Sequence, residues 1–124
     1  MGQERRRSVR LDMRLPTTLK DQRTASVEQA FTKDISGQGM CLLTRETLTP
    51  GAHLGVEIKV PDLKTPVAFD IEVVWSRPLA DPPPRATPHQ AEAGVRFVRI
   101  DPKDRALIML YARLHTVPPR SVSP

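Results

Sequence analysis

The strongest constraint in this chain is a hydrophobic period of two. In "HLGVEIKVP", Leu54, Val56, Ile58 and Val60 fall on one side of an extended chain, with His53, Glu57 and Lys59 on the other. In "VAFDIEVVW", Val67, Phe69, Ile71, Val73 and Trp75 alternate with Asp70 and Glu72. Successive side chains of a strand point to opposite faces, so this alternation marks strands with one buried and one wet face. "GVRFVRI" repeats the pattern with Val95 and Phe97. "MRLPTTLK", "SVEQAFTKDI" and "GMCLLT" read as less regular strands. "TPG" at 49–51, "PDLKTP" at 61–66 and "DPPPRATPHQ" at 81–90 supply turns, the last expected as a flexible hairpin tip.

The period changes once. "DPKDRALIMLYARLH" opens with Asp101 in N-cap position and Pro102 at the first helical position. Leu107, Leu110, Tyr111 and Leu114 then recur at helical spacing, widened by Ile108 and Met109. The count is about six short strands and one closing helix. Short antiparallel strands remove their edges by closing into a barrel or sandwich. The expected class is therefore all-β (mainly β), with one C-terminal α-helix covering an end or flank. Residues 1–12 read as a basic mobile arm, 13–115 as the strands plus helix, and 116–124 as a disordered Pro/Ser tail.

Composition sets the outer bounds. A chain of 124 residues with 39% hydrophobic content fits one domain with a real core. No run approaches the roughly 18 apolar residues of a membrane span, and the charged start carries no secretory h-region. Cys41 has no partner for an internal disulfide, and within "GMCLLT" it is expected as a small buried core residue. These features fit a cytoplasmic protein.

Catalytic signatures are missing. There is no phosphate-binding P-loop and no G-x-S-x-G elbow. His53, His89 and His115 are scattered without ligand spacing, and the acidic residues form no pair. An enzyme is not expected, nor a metal or cofactor.

Two motifs remain. Arg5, Arg6, Arg7, Arg10 and Arg14 crowd the first 14 residues, opposed by Glu4 and Asp12, in a chain of net charge +5. Arginine offers a planar fork that matches phosphates and the O6/N7 edge of guanine, and it stacks on rings. The plain reading of "RRRSVR" is a basic tail with salt-sensitive affinity for anions. The second motif, "DISGQG" at 34–39, places Asp34 and Ser36 two residues apart, on one side of an extended chain. A carboxylate can accept two bonds from the N1–H and N2–H of guanine, while the hydroxyl can reach a phosphate or fix the turn. Gly39 permits an unusual backbone angle or a close approach. The plain reading is an Asx-type turn. Together the motifs carry the chemistry of a guanine nucleotide site with more than one phosphate.

With these residues in hand, the chain resembles the PilZ domain family, bacterial receptor modules for cyclic di-GMP. That family's R-x-x-x-R is matched by Arg6 to Arg10, and its [D/N]-x-S-x-x-G by Asp34 to Gly39. The likeness continues through "LGVEIKVPD", "EVVWSRP" and "AGVRFVRID", where Gly94 to Phe97 looks like the family's late G-x-x-F, and covers roughly residues 4–115. It implies a six-stranded antiparallel β-barrel with a C-terminal helix, and an arm that folds over the ligand. It assigns Arg6 and Arg10 to phosphates and guanine, Asp34 and Ser36 to the guanine side, and Gly39 to the turn.

By the same resemblance, Arg5 is compatible with a stacked ligand dimer. Arg7 is ambiguous and can face solvent. Gly37, Trp75 and Arg77 are secondary positions: alternation places Trp75 in the core, whereas the family likeness allows it against a guanine. Arg96 can line the site from the late strand but is left unassigned.

The implied function is a cyclic di-GMP receptor whose ligand orders the arm and changes a surface for an unidentified downstream protein. The processes implied are motility, surface attachment, polysaccharide production or development. The alternatives are a ligand-independent adaptor of the same fold, and a small-barrel nucleic-acid binder. The last is disfavoured because aromatic content is 4%, too low for a stacking platform.

Overall fold

The alternating segments become strands wherever one face can be buried. In a computed structural model, residues 10–61, 63–79 and 89–115 are described. The strands are β1 (Leu11–Asp12), β2 (Pro16–Asp21), β3 (Ser26–Ile35), β4 (Gly39–Thr44), β5 (His53–Ile58), β6 (Val67–Pro78) and β7 (Ala91–Arg99). One helix follows, α1 (Pro102–His115). The arginines at 5, 6 and 7, most of the 81–90 turn and the 116–124 segment lie outside the described residues.

All strand pairings are antiparallel, and the sheet closes: β2 pairs β5, then β6, β7, β4 and β3 follow, and β3 returns to β2. Six strands thus form a barrel without a free edge. The two-residue β1 extends the line of β2 along the far end of β3, with Leu11 opposite Ile35 and Asp12 opposite Asp34. Thr32 bridges the gap between β1 and β2. Its hydroxyl donates to the Met13 carbonyl and accepts from the Leu15 amide at 2.9 Å. Thr32 is fully buried, so this bridge fixes where the basic segment enters the fold.

Inside, Leu54, Val56, Ile58 and Val60 are buried, as are Val67, Phe69, Ile71 and Val73, as the alternation predicts. Each fully buried aliphatic side chain contributes roughly 1.5–3 kcal/mol. Phe69 and Phe97 meet edge to face at 5.5 Å.

Three expectations are corrected. The alternation of β6 does not extend to Trp75. A bulge between Val73 and Trp75 makes Val74 an extra residue, so Trp75 pairs with Gly94 and turns outward, 38% exposed. A single inserted residue moves every later side chain to the opposite face. Cys41 is buried but lies outside the hydrophobic core cluster, between the inward-facing Met40 and Leu42. In α1 the buried residues are Ile108 and Ala112, whereas Leu107, Leu110 and Leu114 are exposed. The buried stripe thus runs through Ile108 and Ala112, beside the leucines rather than through them. The start of α1 is as predicted: Asp101 accepts the Lys103 amide at 2.8 Å.

Candidate functional site

The "DISGQG" stretch is the hairpin that joins β3 to β4, and its side chains divide into two jobs. Ser36 is buried; its hydroxyl donates to the Gly39 carbonyl and accepts from the Gln38 amide, both at 3.3 Å. The Ser36 amide donates to the same carbonyl at 2.8 Å. Ser36 thus fixes the turn, one of the two uses its hydroxyl allowed. The tip is held from both sides: Arg105 of α1 donates to the Gly37 carbonyl at 2.9 Å, and the Phe97 amide to the Gln38 carbonyl at 3.0 Å. Gly39 is required by close approach rather than by backbone angle. A Cβ there would lie 2.1 Å from the Val95 carbonyl oxygen.

Asp34 faces outward, and Arg10 donates a charge-assisted hydrogen bond to it. The two motifs therefore meet in space, 24 residues apart in sequence. The Arg10 side chain is 58% exposed, so the pair is worth at most about 1 kcal/mol and is readily exchanged for another partner.

Strand register extends the site sideways. Asp34 is opposite Cys41, Cys41 opposite Gly94, and Gly94 opposite Trp75. This row crosses four strands, roughly 14 Å of barrel surface at the usual strand spacing. Gly94 makes room for the indole: a Cβ there would lie 2.3 Å from Trp75 Nε1. Arg77 lies over the Trp75 ring at 4.8 Å and donates to Glu92 at 3.0 Å. Burial, followed by the charges of Asp34 and Glu92, pushes the Cys41 thiol up to about 11. It stays protonated and is no nucleophile at neutral pH.

A small concavity of about 190 Å³ opens on this row, lined among others by Arg10, Ser36, Gly39, Trp75, Gly94 and Arg96. Arg96, left unassigned by the sequence, belongs to it and pairs with Glu72 at 2.7 Å. Its signal was its place two residues after Gly94 on an alternating strand. A larger hollow of about 590 Å³ includes Lys20, Gly55, Phe69 and Asp70 in its lining and contains no motif residue. Chemistry, not size, selects the smaller one. Gly37 sits at the hairpin tip with open space around it.

The PilZ domain model matches residues 4–113, nearly the whole chain. The chain belongs to the PilZ domain family.

Solved structures agree on the fold. The PilZ domain of YcgR from Escherichia coli, determined with c-di-GMP, superposes with a TM-score of 0.66 at 16% identity, covering 89% of this chain and 90% of that one. The Bacillus subtilis inhibitor of motility MotI/DgrA gives 0.64 at 18% identity, covering 89% of this chain and 50% of that one. MrkH, a transcription regulatory factor with c-di-GMP dependence, gives 0.67 at 15% identity, with 89% and 52% covered. This PilZ chain thus spans about half the length of the last two. No curated protein sequence matches it.

Proposed function

We propose that this PilZ chain is a cyclic di-GMP receptor that acts through protein contacts rather than catalysis. The observation that carries the reading is the Arg10–Asp34 pair, which joins the two motifs at the edge of the concavity holding Trp75 and Arg96. An arginine guanidinium and the N1/N2 edge of guanine both present adjacent N–H donors to a carboxylate. In the free protein Arg10 fills the position on Asp34 that a guanine edge takes in the complex. A ligand guanine displaces it, and the released Arg10 turns to phosphate, together with Arg6 from the arm. In this reading Arg5 meets a second stacked ligand, and Arg7 is given no contact of its own.

Trp75 receives a base at the far end of the row, where base–aromatic stacking contributes about 1–3 kcal/mol. Ser36 and Gly39 keep the hairpin in shape beneath the ligand. The E. coli YcgR domain solved with c-di-GMP supports the ligand class. Closure of the arm over the barrel then changes the surface offered to a downstream protein, in motility, surface attachment, polysaccharide production or development.

Calorimetric titration of the full chain and of Asp34→Ala with cyclic di-GMP tests the assignment. Asp34→Ala removes a charge-assisted contact worth roughly 1.5–3 kcal/mol, so affinity drops about ten- to hundredfold. Equal affinity of both proteins would contradict it. A ligand-independent adaptor keeps one specific observation in its favour, the exposed Leu107, Leu110 and Leu114 on α1. Partner recovery that is unchanged by cyclic di-GMP and by Asp34→Ala would select it.

A further inference from the structure

Glu92 is the one charged residue among the buried residues described; the other buried polar ones are Thr17, Thr32, Ser36 and Thr44. It has no place in either motif. Its side chain is 8% exposed, although it points to the outer side of the barrel. A buried carboxylate persists only when paired and hydrogen-bonded. Glu92 has two cations from strands on either side. Arg77 Nε of β6 donates to one carboxylate oxygen at 3.0 Å, and Lys33 Nζ of β3 to the other at 3.2 Å. The Cys41 thiol of β4 lies 3.8 Å from that second oxygen. Lys33 occupies the bulge between Thr32 and Asp34, immediately before the proposed guanine acceptor.

The consequence lies at Arg77. Its side chain is 66% exposed, and an exposed arginine gives up rotamer freedom only where something fixes it. Glu92 stands directly opposite it in register and holds Nε, which leaves the guanidinium over the Trp75 ring at 4.8 Å. The indole in turn is seated on Gly94. We infer that Glu92 is a positioning residue: it locks Arg77 onto Trp75, so that the pair forms one cationic–aromatic shelf for a guanine base of the ligand. This rests on the proposed cyclic di-GMP reading.

Trp75 is the chain's single tryptophan, so its fluorescence reports on the shelf without a label. The test compares the full chain with Glu92→Gln, Glu92→Asp and Arg77→Met, each checked by thermal melt. In the free proteins, acrylamide quenching of Trp75 is expected to rise in Arg77→Met and to rise to the same level in Glu92→Gln. Glu92→Asp, one methylene short, falls between Glu92→Gln and the wild type. Titration with cyclic di-GMP is then expected to show both Arg77→Met and Glu92→Gln weakened roughly three- to thirtyfold, the range of one cation–π contact.

Wild-type quenching in Glu92→Gln beside altered quenching in Arg77→Met would overturn the inference, as would wild-type affinity in Glu92→Gln. Should Glu92→Gln fail to fold, Glu92→Asp decides: unchanged quenching overturns the inference, and increased quenching supports it. A wild type without saturable response to cyclic di-GMP sinks the functional reading. The quenching series then still decides whether Glu92 positions Arg77.

Discussion

Three residues mark how far single positions can be read. Gly39 was legible as special but not why, because two physical reasons for a glycine look alike in a sequence. Its place against the Val95 carbonyl decides for close approach. Gly39→Ala should therefore destabilise the fold by about 1–3 kcal/mol, the range of an overpacked site. Gly37→Ala, with nothing within 4 Å of its Cβ, should stay within about 0.5 kcal/mol. Paired denaturant melts check this; equal losses would refute the account of Gly39.

Asp34 was legible as an acceptor, and its partner Arg10 came from the other motif. Glu92 was not legible at all, because its partners Lys33 and Arg77 reach it only through strand register. Burial alone would raise its carboxyl pKa. Hydrogen bonds from Arg77 and Lys33, with their charges, win and hold it below the usual range. A lowered folded value means that the ionised form stabilises the fold. That contribution is complete above the ordinary Glu range and is lost as pH falls through the folded value. The stability difference between wild type and Glu92→Gln should thus shrink as pH falls through and below the ordinary Glu range. A difference that stays constant or grows on acidification would contradict the pairing.

At the scale of elements, the strands were legible because alternation needs no partner to be seen. The bulge at Val74 was not, because an inserted residue shows only against the facing strand. That one residue turns Trp75 out of the core and into the lining of the concavity. For α1 the cap was legible and the buried face was not. Eight apolar residues from Ala106 to Leu114 offered more than one stripe, and burial fell on Ile108 and Ala112. Ile108→Ala should cost about 2–4 kcal/mol, whereas Leu114→Ala should stay within about 0.5 kcal/mol. The reverse order in thermal or denaturant melts would restore the leucine face to the core. Arg105 ties α1 to the Gly37 carbonyl, so the helix and the hairpin share a direct contact.

For the whole molecule, closure of six strands was legible from strand number and length, and the family likeness supplied the barrel. Closure places β3, β4, β7 and β6 side by side, and that order assembles Asp34, Gly94 and Trp75 from three distant segments. No element of the sequence shows this row until the strands are in register.

The central claim is that cyclic di-GMP draws the N-terminal arginines onto the hairpin and the Trp75 row. Amide hydrogen exchange on the full chain, with and without saturating cyclic di-GMP, reads it directly. The account predicts added protection in three separate places, residues 5–10, residues 34–40 and the strand segments around Trp75 and Gly94. Absence of any ligand-dependent protection, or protection confined to one of these segments, would contradict it.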